Sequence, residues 1–249
     1  MSDDAAAAAF VQKVAPPGSD LYYALLFAGE HRDTIAGLHA LAAEIAACAE
    51  KPDDPHPGRL KLQWWSEEVA RVTAGEPRHP LTTDLAAPLR DAVGVEPLHR
   101  MVHNAAVILS DGPPASPSAL LGHYEAQAAP LYEAIAAVVG AMAPSAAALG
   151  GAIMLIDEAR YLCAEHTRFQ SPNGDFGVDE LLDVAGPSLI DAMRGVGDAE
   201  RAPLRTALIQ GELARRWLAA ATRRGSYNAP PLNAALRLWA AWRTARANV

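Results

Sequence analysis

The chain has 249 residues, is 51% hydrophobic but only 6% aromatic, and carries a formal net charge of −8. That length is enough to bury a sizeable core, and the acidic balance argues against a nucleic-acid binder. Two cysteines, Cys48 and Cys163, form no CxxC pair, which points to a reducing compartment and against a zinc site.

Alanine, the strongest helix former, is abundant, and Val and Ile are scattered rather than set in short alternating runs, so an all-α class is expected. MSDDAAAAAF at the start is acidic and lacks the basic n-region of a secretory signal, which fits a cytoplasmic protein. Charge or proline interrupts every apolar run well short of roughly 18 residues, so no membrane span is expected. Residues 1–18 are taken as an N-terminal segment and 19–249 as one helical domain, because no shift in composition marks a boundary.

PPGS at 16–19 reads as a loop, with Ser19 or Asp20 capping the next helix. Helices are predicted at Ser19–Phe27, Glu30–Ala49, Pro57–Ala74, His79–Val93, Glu96–Ser110, Pro117–Met142 and Ser145–Thr167. Further helices are predicted at Val178–Asp183, Pro187–Arg194, Asp198–Arg223 and Pro230–Ala247. KPDDPHPG, GEPRHP and DGPPASP separate several of them as Pro-rich turns. The longest irregular stretch, FQSPNGDFG at 169–177, directly follows the helix ending MLIDEARYLCAEHTRF, where a functional loop would be well placed.

On that helix Asp157, Tyr161 and Glu165 fall at i, i+4 and i+8 and share one face. They are candidates for a ligand-binding wall, together with Arg160. The alternative is a partly buried helix with an internal polar pair, Asp157–Arg160 or Tyr161–Glu165. Glu44 sits between Leu41 and Ile45 on an apolar helix, so it needs a partner if buried, with Arg32, Arg59 and Arg160 as candidates. Trp64 and Trp65 are adjacent and cannot both face the core from one helix, leaving one for a cavity or a partner surface. His99 and His103 are one turn apart, but no third metal ligand accompanies them. Gly150–Gly151 suits close helix packing rather than a phosphate loop. The last helix carries Leu236, Trp239 and Trp242 interleaved with Arg237, Arg243 and Arg246, a pattern that fits either bundle packing or peripheral membrane contact through 230–247.

LQWWSEEVARVTAGEPRHPL at 62–81, preceded by YYALLFAGEHRDTIAGLHALAAEIAACAE, resembles the squalene/phytoene synthase family. The matching positions are Tyr22–Tyr23, Arg32, the helix 37–50, Trp64, Trp65, Glu68, Gly75, Pro77, His79 and Pro80. GGAIMLIDEARYLCAE falls where that family has its second aspartate motif. The resemblance implies an all-α isoprenoid-synthase-like bundle with a central cavity. Its activity would be head-to-head condensation of two prenyl diphosphates, held through Mg²⁺ by aspartates spaced DxxxD.

The aspartates themselves have changed. Ala46 and Glu50 occupy the first motif, and Tyr161 and Glu165 the second, with Asp157 at an asparagine position and Arg160 matching the family's arginine. This erosion is similar to that of a branch containing mitochondrial complex I assembly factor 6. The resemblance therefore implies a non-catalytic protein without a cofactor, binding an isoprenoid or lipid or acting with a protein partner in respiratory-complex assembly. The alternative is an active Mg²⁺-dependent prenyl transferase whose metal site uses Glu50, Asp157 and Glu165, with Glu44 nearby. Candidate cavity and ligand-binding residues are Glu44, Glu50, Trp64, Asp157, Arg160, Tyr161 and Glu165. A third reading is a structural helical module with a filled core.

Overall fold

The computed structural model describes residues 3–49, 55–111, 114–165, 176–224 and 232–247, and among these every regular element is helical. The helices are α1 (Asp3–Val14), α2 (Asp20–Leu25), α3 (Arg32–Ala46), α4 (His56–Ala74), α5 (Pro80–Asp84), α6 (Ala86–Pro88) and α7 (Glu96–Asp111). They continue as α8 (Pro117–Val138), α9 (Ala146–Glu165), α10 (Val178–Gly195), α11 (Asp198–Arg201), α12 (Arg205–Arg224) and α13 (Ala234–Ala247).

Local chemistry sets many of the ends. Ser19 and Ser116 accept from the amides of Tyr22 and Ala119, each at 3.1 Å, and so cap α2 and α8. Asn233 does the same for α13 through the Leu236 amide at 2.8 Å. Gly75, with φ of 79°, closes α4 in the left-handed conformation that glycine adopts most readily.

The core centres on α8 and α9, with α3, α10 and α12 packed around them. Gly150 and Gly151 let α9 approach α8. A Cβ on Gly150 would lie 2.5 Å from that of Ala128, and one on Gly151 would lie 2.5 Å from Glu125 Cγ. Pro130, inside α8, has no amide to give the Ala126 carbonyl, and Asn104 Nδ2 from α7 donates to that oxygen at 2.5 Å instead.

Several predicted boundaries moved. The segment before residue 19 contains α1, which packs on α3 and α5. The stretch Val178–Arg194 is one helix rather than two, because Asp183 and Pro187 lie on its exposed face, where losing one hydrogen bond costs least. Conversely, the predicted 79–93 helix breaks at Leu85 and ends in a π turn over Leu89–Val93, and Asp198–Arg223 is interrupted ahead of Arg205, beside Pro203. Among the described residues no helix is long and apolar enough to cross a membrane.

Candidate functional site

A cavity of about 940 Å³ lies between α2, α3, α7, α8, α9, α12 and α13. Its presence excludes a filled core. Apart from His39, the wall from α3 is apolar: Ala42, Ala43, Ile45 and Ala46. The wall from α9 runs through Ile153, Met154, Asp157, Arg160 and Cys163.

Two polar clusters interrupt the apolar lining. In the first, Arg160 Nη1 donates to Asp20 Oδ2 at 2.7 Å and to Asp157 Oδ1 at 2.8 Å. Its guanidinium also stacks over Trp217, 4.9 Å from the ring centre. Arg237 of α13 closes on the other oxygen of Asp20 at 3.9 Å and donates to the Gly18 carbonyl. Two arginines thus balance two aspartates. Burial pushes the Asp157 carboxyl up, and Asp20 adds to that, against the pull of Arg160. The Asp157 side chain is half accessible, and the space it meets is the cavity. The Nε atoms of Arg160 and Arg237 are buried with no hydrogen-bond partner among the described residues.

The second cluster is uncharged. Burial pulls His39 down to about 4, so its imidazole is neutral at pH 7. Its ring meets Tyr132 edge-on at 5.8 Å, and its Nε2 has no hydrogen-bond partner among the described residues. Burial raises the Tyr132 phenol, against a hydrogen bond with Gln210, and keeps it protonated. Gln210 Nε2 reaches the Thr206 carbonyl at 3.4 Å. Sequence reading passed over Asp20, His39, Tyr132, Gln210 and Arg237 as site residues. They lie on five different helices, and no local spacing links them.

The other candidates divide as follows. Glu44 is not in the cavity lining; its partner is Lys13 of α1 at 2.7 Å, not Arg32, Arg59 or Arg160, because α1 lies against α3. Trp65 is core at 5% exposure while Trp64 is 39% exposed, and Trp64 is covered by Arg71 rather than by the cavity. Tyr161 is half exposed and lies outside the lining. Glu50 lies outside the described residues, as does the side chain of Glu165. His99 and His103 share a smaller depression between α4 and α7.

Mg²⁺ takes hard oxygen ligands, usually one or two carboxylates completed by water and substrate phosphates. Most of the described donors are engaged elsewhere. Ala46 has no oxygen to offer, Glu44 is held by Lys13, and Asp20 and Asp157 are both held by Arg160. Among the described residues no three His, Cys, Asp or Glu side chains converge on a metal position.

The tryptophan segment has a separate explanation in Glu68, which is fully buried. It accepts from the amides of Arg78 and His79 at 2.7 and 2.8 Å, from the Thr82 hydroxyl at 2.5 Å and from Arg71 Nε at 2.7 Å. Burial alone would raise this carboxyl. The bonds from His79, Thr82, Arg78 and Arg71 outweigh it and hold the group at about 2. His79 caps α5, its Nδ1 accepting from the Leu81 amide, and its ring lies 4.8 Å from that of Trp65. Glu68 therefore ties α4 to the GEPRHP turn.

An all-α bundle around an apolar cavity is the architecture of the isoprenoid synthases. A solved structure described as a dehydrosqualene synthase in complex with ligand matches 98% of this chain with 97% of its own, at a TM-score of 0.69 and 12% identity. No curated protein matches the sequence significantly. The pattern of the squalene/phytoene synthase family matches residues 15–162, more than half of the chain, and the protein belongs to that family.

Proposed function

We propose that this chain uses the family's cavity as a lipid-binding chamber without the metal–diphosphate step, holding an isoprenoid or similar long apolar molecule with an uncharged polar end. One observation carries the reading: the charged groups on the cavity wall already neutralise one another, Asp20 and Asp157 with Arg160 and Arg237. A diphosphate brings several negative charges, which metal held by carboxylates would have to offset, and here the carboxylates already meet arginines. Ala46 stands on the wall at the first aspartate position of the resemblance. Other polar groups on the wall, among them His39, Tyr132, Gln127 and Gln210, are neutral and suit a hydroxyl or carbonyl oxygen. Each buried methylene of an isoprenoid chain contributes about 0.8 kcal/mol, so affinity comes from the apolar lining. A part in respiratory-complex assembly would extend this reading to a protein partner. It rests on the sequence resemblance alone: the changed aspartate positions together with the retained Trp64–Pro80 segment.

The test has two arms. Lipid extracted from the purified protein is identified by mass spectrometry, with a stoichiometric neutral isoprenoid or lipid expected. Farnesyl or geranylgeranyl diphosphate is then supplied with Mg²⁺, with and without NADPH, and neither diphosphate release nor a head-to-head product is expected. Mg²⁺-dependent release that Glu165→Ala abolishes would overturn the reading in favour of an active prenyl transferase using Glu50, Asp157 and Glu165.

A further inference from the structure

Helix α13 turns its small residues inward and its large apolar residues outward. Ala240, Ala241 and Ala245 are buried against Ile209 and Leu213 of α12 and Tyr23 and Ala24 of α2. On the opposite face Leu238, Trp239 and Trp242 are 47%, 44% and 45% exposed. A tryptophan buries more apolar surface than almost any other side chain, so packing alone would favour the reverse orientation.

This face is also cationic. Arg216 of α12 and Arg243 lie over the Trp239 ring at 5.1 and 5.4 Å, and Arg246 lies over Trp242 at 5.1 Å. No Asp or Glu follows Glu212 in the sequence, whereas seven arginines do. Arg215 and Arg216 pair with Glu212 and Arg237 with Asp20, which leaves Arg243 and Arg246 on the outer face with no acidic partner among the described residues. The acidic groups are gathered elsewhere in the chain.

We propose that the outer face of α13 docks on an anionic lipid surface, with Leu238, Trp239 and Trp242 entering the headgroup layer and Arg243 and Arg246 meeting lipid phosphates. Tryptophan combines an apolar body with one polar N–H and sits well at that depth. Arginine supplies the charge attraction and stays hydrated beside it. A second copy of the chain is a poorer occupant, because a self-complementary contact on this face would set arginine against arginine. The inward side of the same helix carries Arg237 to the cavity wall, so docking would bring the cavity within about one helix diameter, roughly 10 Å, of the lipid. The proposal stands whatever the cavity holds.

Flotation of the full chain with vesicles of phosphatidylcholine alone, or of phosphatidylcholine with phosphatidylglycerol, tests it. Binding is expected to the anionic vesicles only and to weaken as salt is raised. Trp239→Ala with Trp242→Ala should weaken it by about tenfold or more, and so should Arg243→Glu with Arg246→Glu, which keeps the aromatic face intact. Both variants change exposed side chains and should melt like the parent. Failure to bind anionic vesicles, equal binding to neutral ones, or indifference to both variants would overturn the proposal. So would a dimer in sedimentation velocity that only the tryptophan variant dissolves.

Discussion

Arg160 on α9 reaches Asp20 at the start of α2, 140 positions earlier in the chain, with Nη1 2.7 Å from Oδ2. Both side chains are largely sequestered, at 20% and 12% exposure, and Asp157 occupies the same guanidinium nitrogen at 2.8 Å. Arg160→Ala would leave Asp157 without its counter-charge and Asp20 with only Arg237, 3.9 Å away, on a mostly apolar wall. A loss of about 3–5 kcal/mol in urea unfolding is expected, partly recovered when Asp20→Asn is added. A loss below about 1 kcal/mol would mean that the cluster contributes no stability.

Glu68 makes stability depend on pH with a defined sign. Its carboxyl is held at about 2 in the folded protein, against an ordinary value of 4.5. A depressed carboxylate contributes stability that is fully present above 4.5 and is lost as pH falls from 4.5 towards 2. Glu68→Gln should cost about 3–5 kcal/mol at pH 7, because the amide satisfies fewer of the four donors. It should also flatten the stability curve between pH 4.5 and 2, which denaturant titrations across that range would reveal. An unchanged slope would exclude Glu68 as its source.

Two glycines should respond oppositely to the same change. At Gly150 a new Cβ would meet Ala128 and Tyr132 within 2.6 Å, so Gly150→Ala should force α8 and α9 apart and destabilise by about 1–3 kcal/mol. Gly122 lies in α8 with nothing within 4 Å, so Gly122→Ala should stabilise by about 0.5–1 kcal/mol through helix propensity. Thermal melts of the two variants beside the parent give the comparison.

Filling the cavity should separate binding from folding. Ala43 faces the cavity from α3, so Ala43→Phe projects a ring into open space rather than into packed core. The variant should unfold within about 1 kcal/mol of the parent while losing most of its co-purifying lipid. Undiminished lipid content would locate the ligand elsewhere.

Acid should also act on the cavity itself. His39 is held at about 4, below its ordinary 6.5, so the unfolded chain takes up a proton that the folded chain refuses. Stability is therefore lost as pH falls from 6.5 towards 4, and His39→Phe should remove that part of the acid sensitivity. NMR titration of the imidazole provides a direct check, with a midpoint near 6.5 contradicting a buried neutral ring.

Local periodicity and capping made the helices legible. Ser19 and Pro117 mark starts that the structure keeps to within a residue, and the alanine-rich runs between them have few competing conformations. That Trp64 and Trp65 do not both face the core followed from the 3.6-residue period; that Trp65 is the core residue and that Trp64 lies outside the cavity lining came from the packing. The tryptophan–histidine segment disclosed the family without disclosing that Glu68 binds the turn together, because its donors lie ten to fourteen residues away. α10 reads as two helices because Pro187 is a local stop signal, overridden here by packing on both sides of it.

The sequence by itself determined the helical class, most of the helices and the family. Each of these is written in spacing along one chain segment or in residue identity at a motif position. Only the tertiary structure decided that Arg160 belongs to Asp20, that Glu44 belongs to Lys13, that His39, Tyr132 and Gln210 share one wall, and that α13 wears its tryptophans outside. Those outcomes depend on which helix faces which across the bundle, and the amphipathic pattern of one helix says that it has a preferred side without naming what lies opposite.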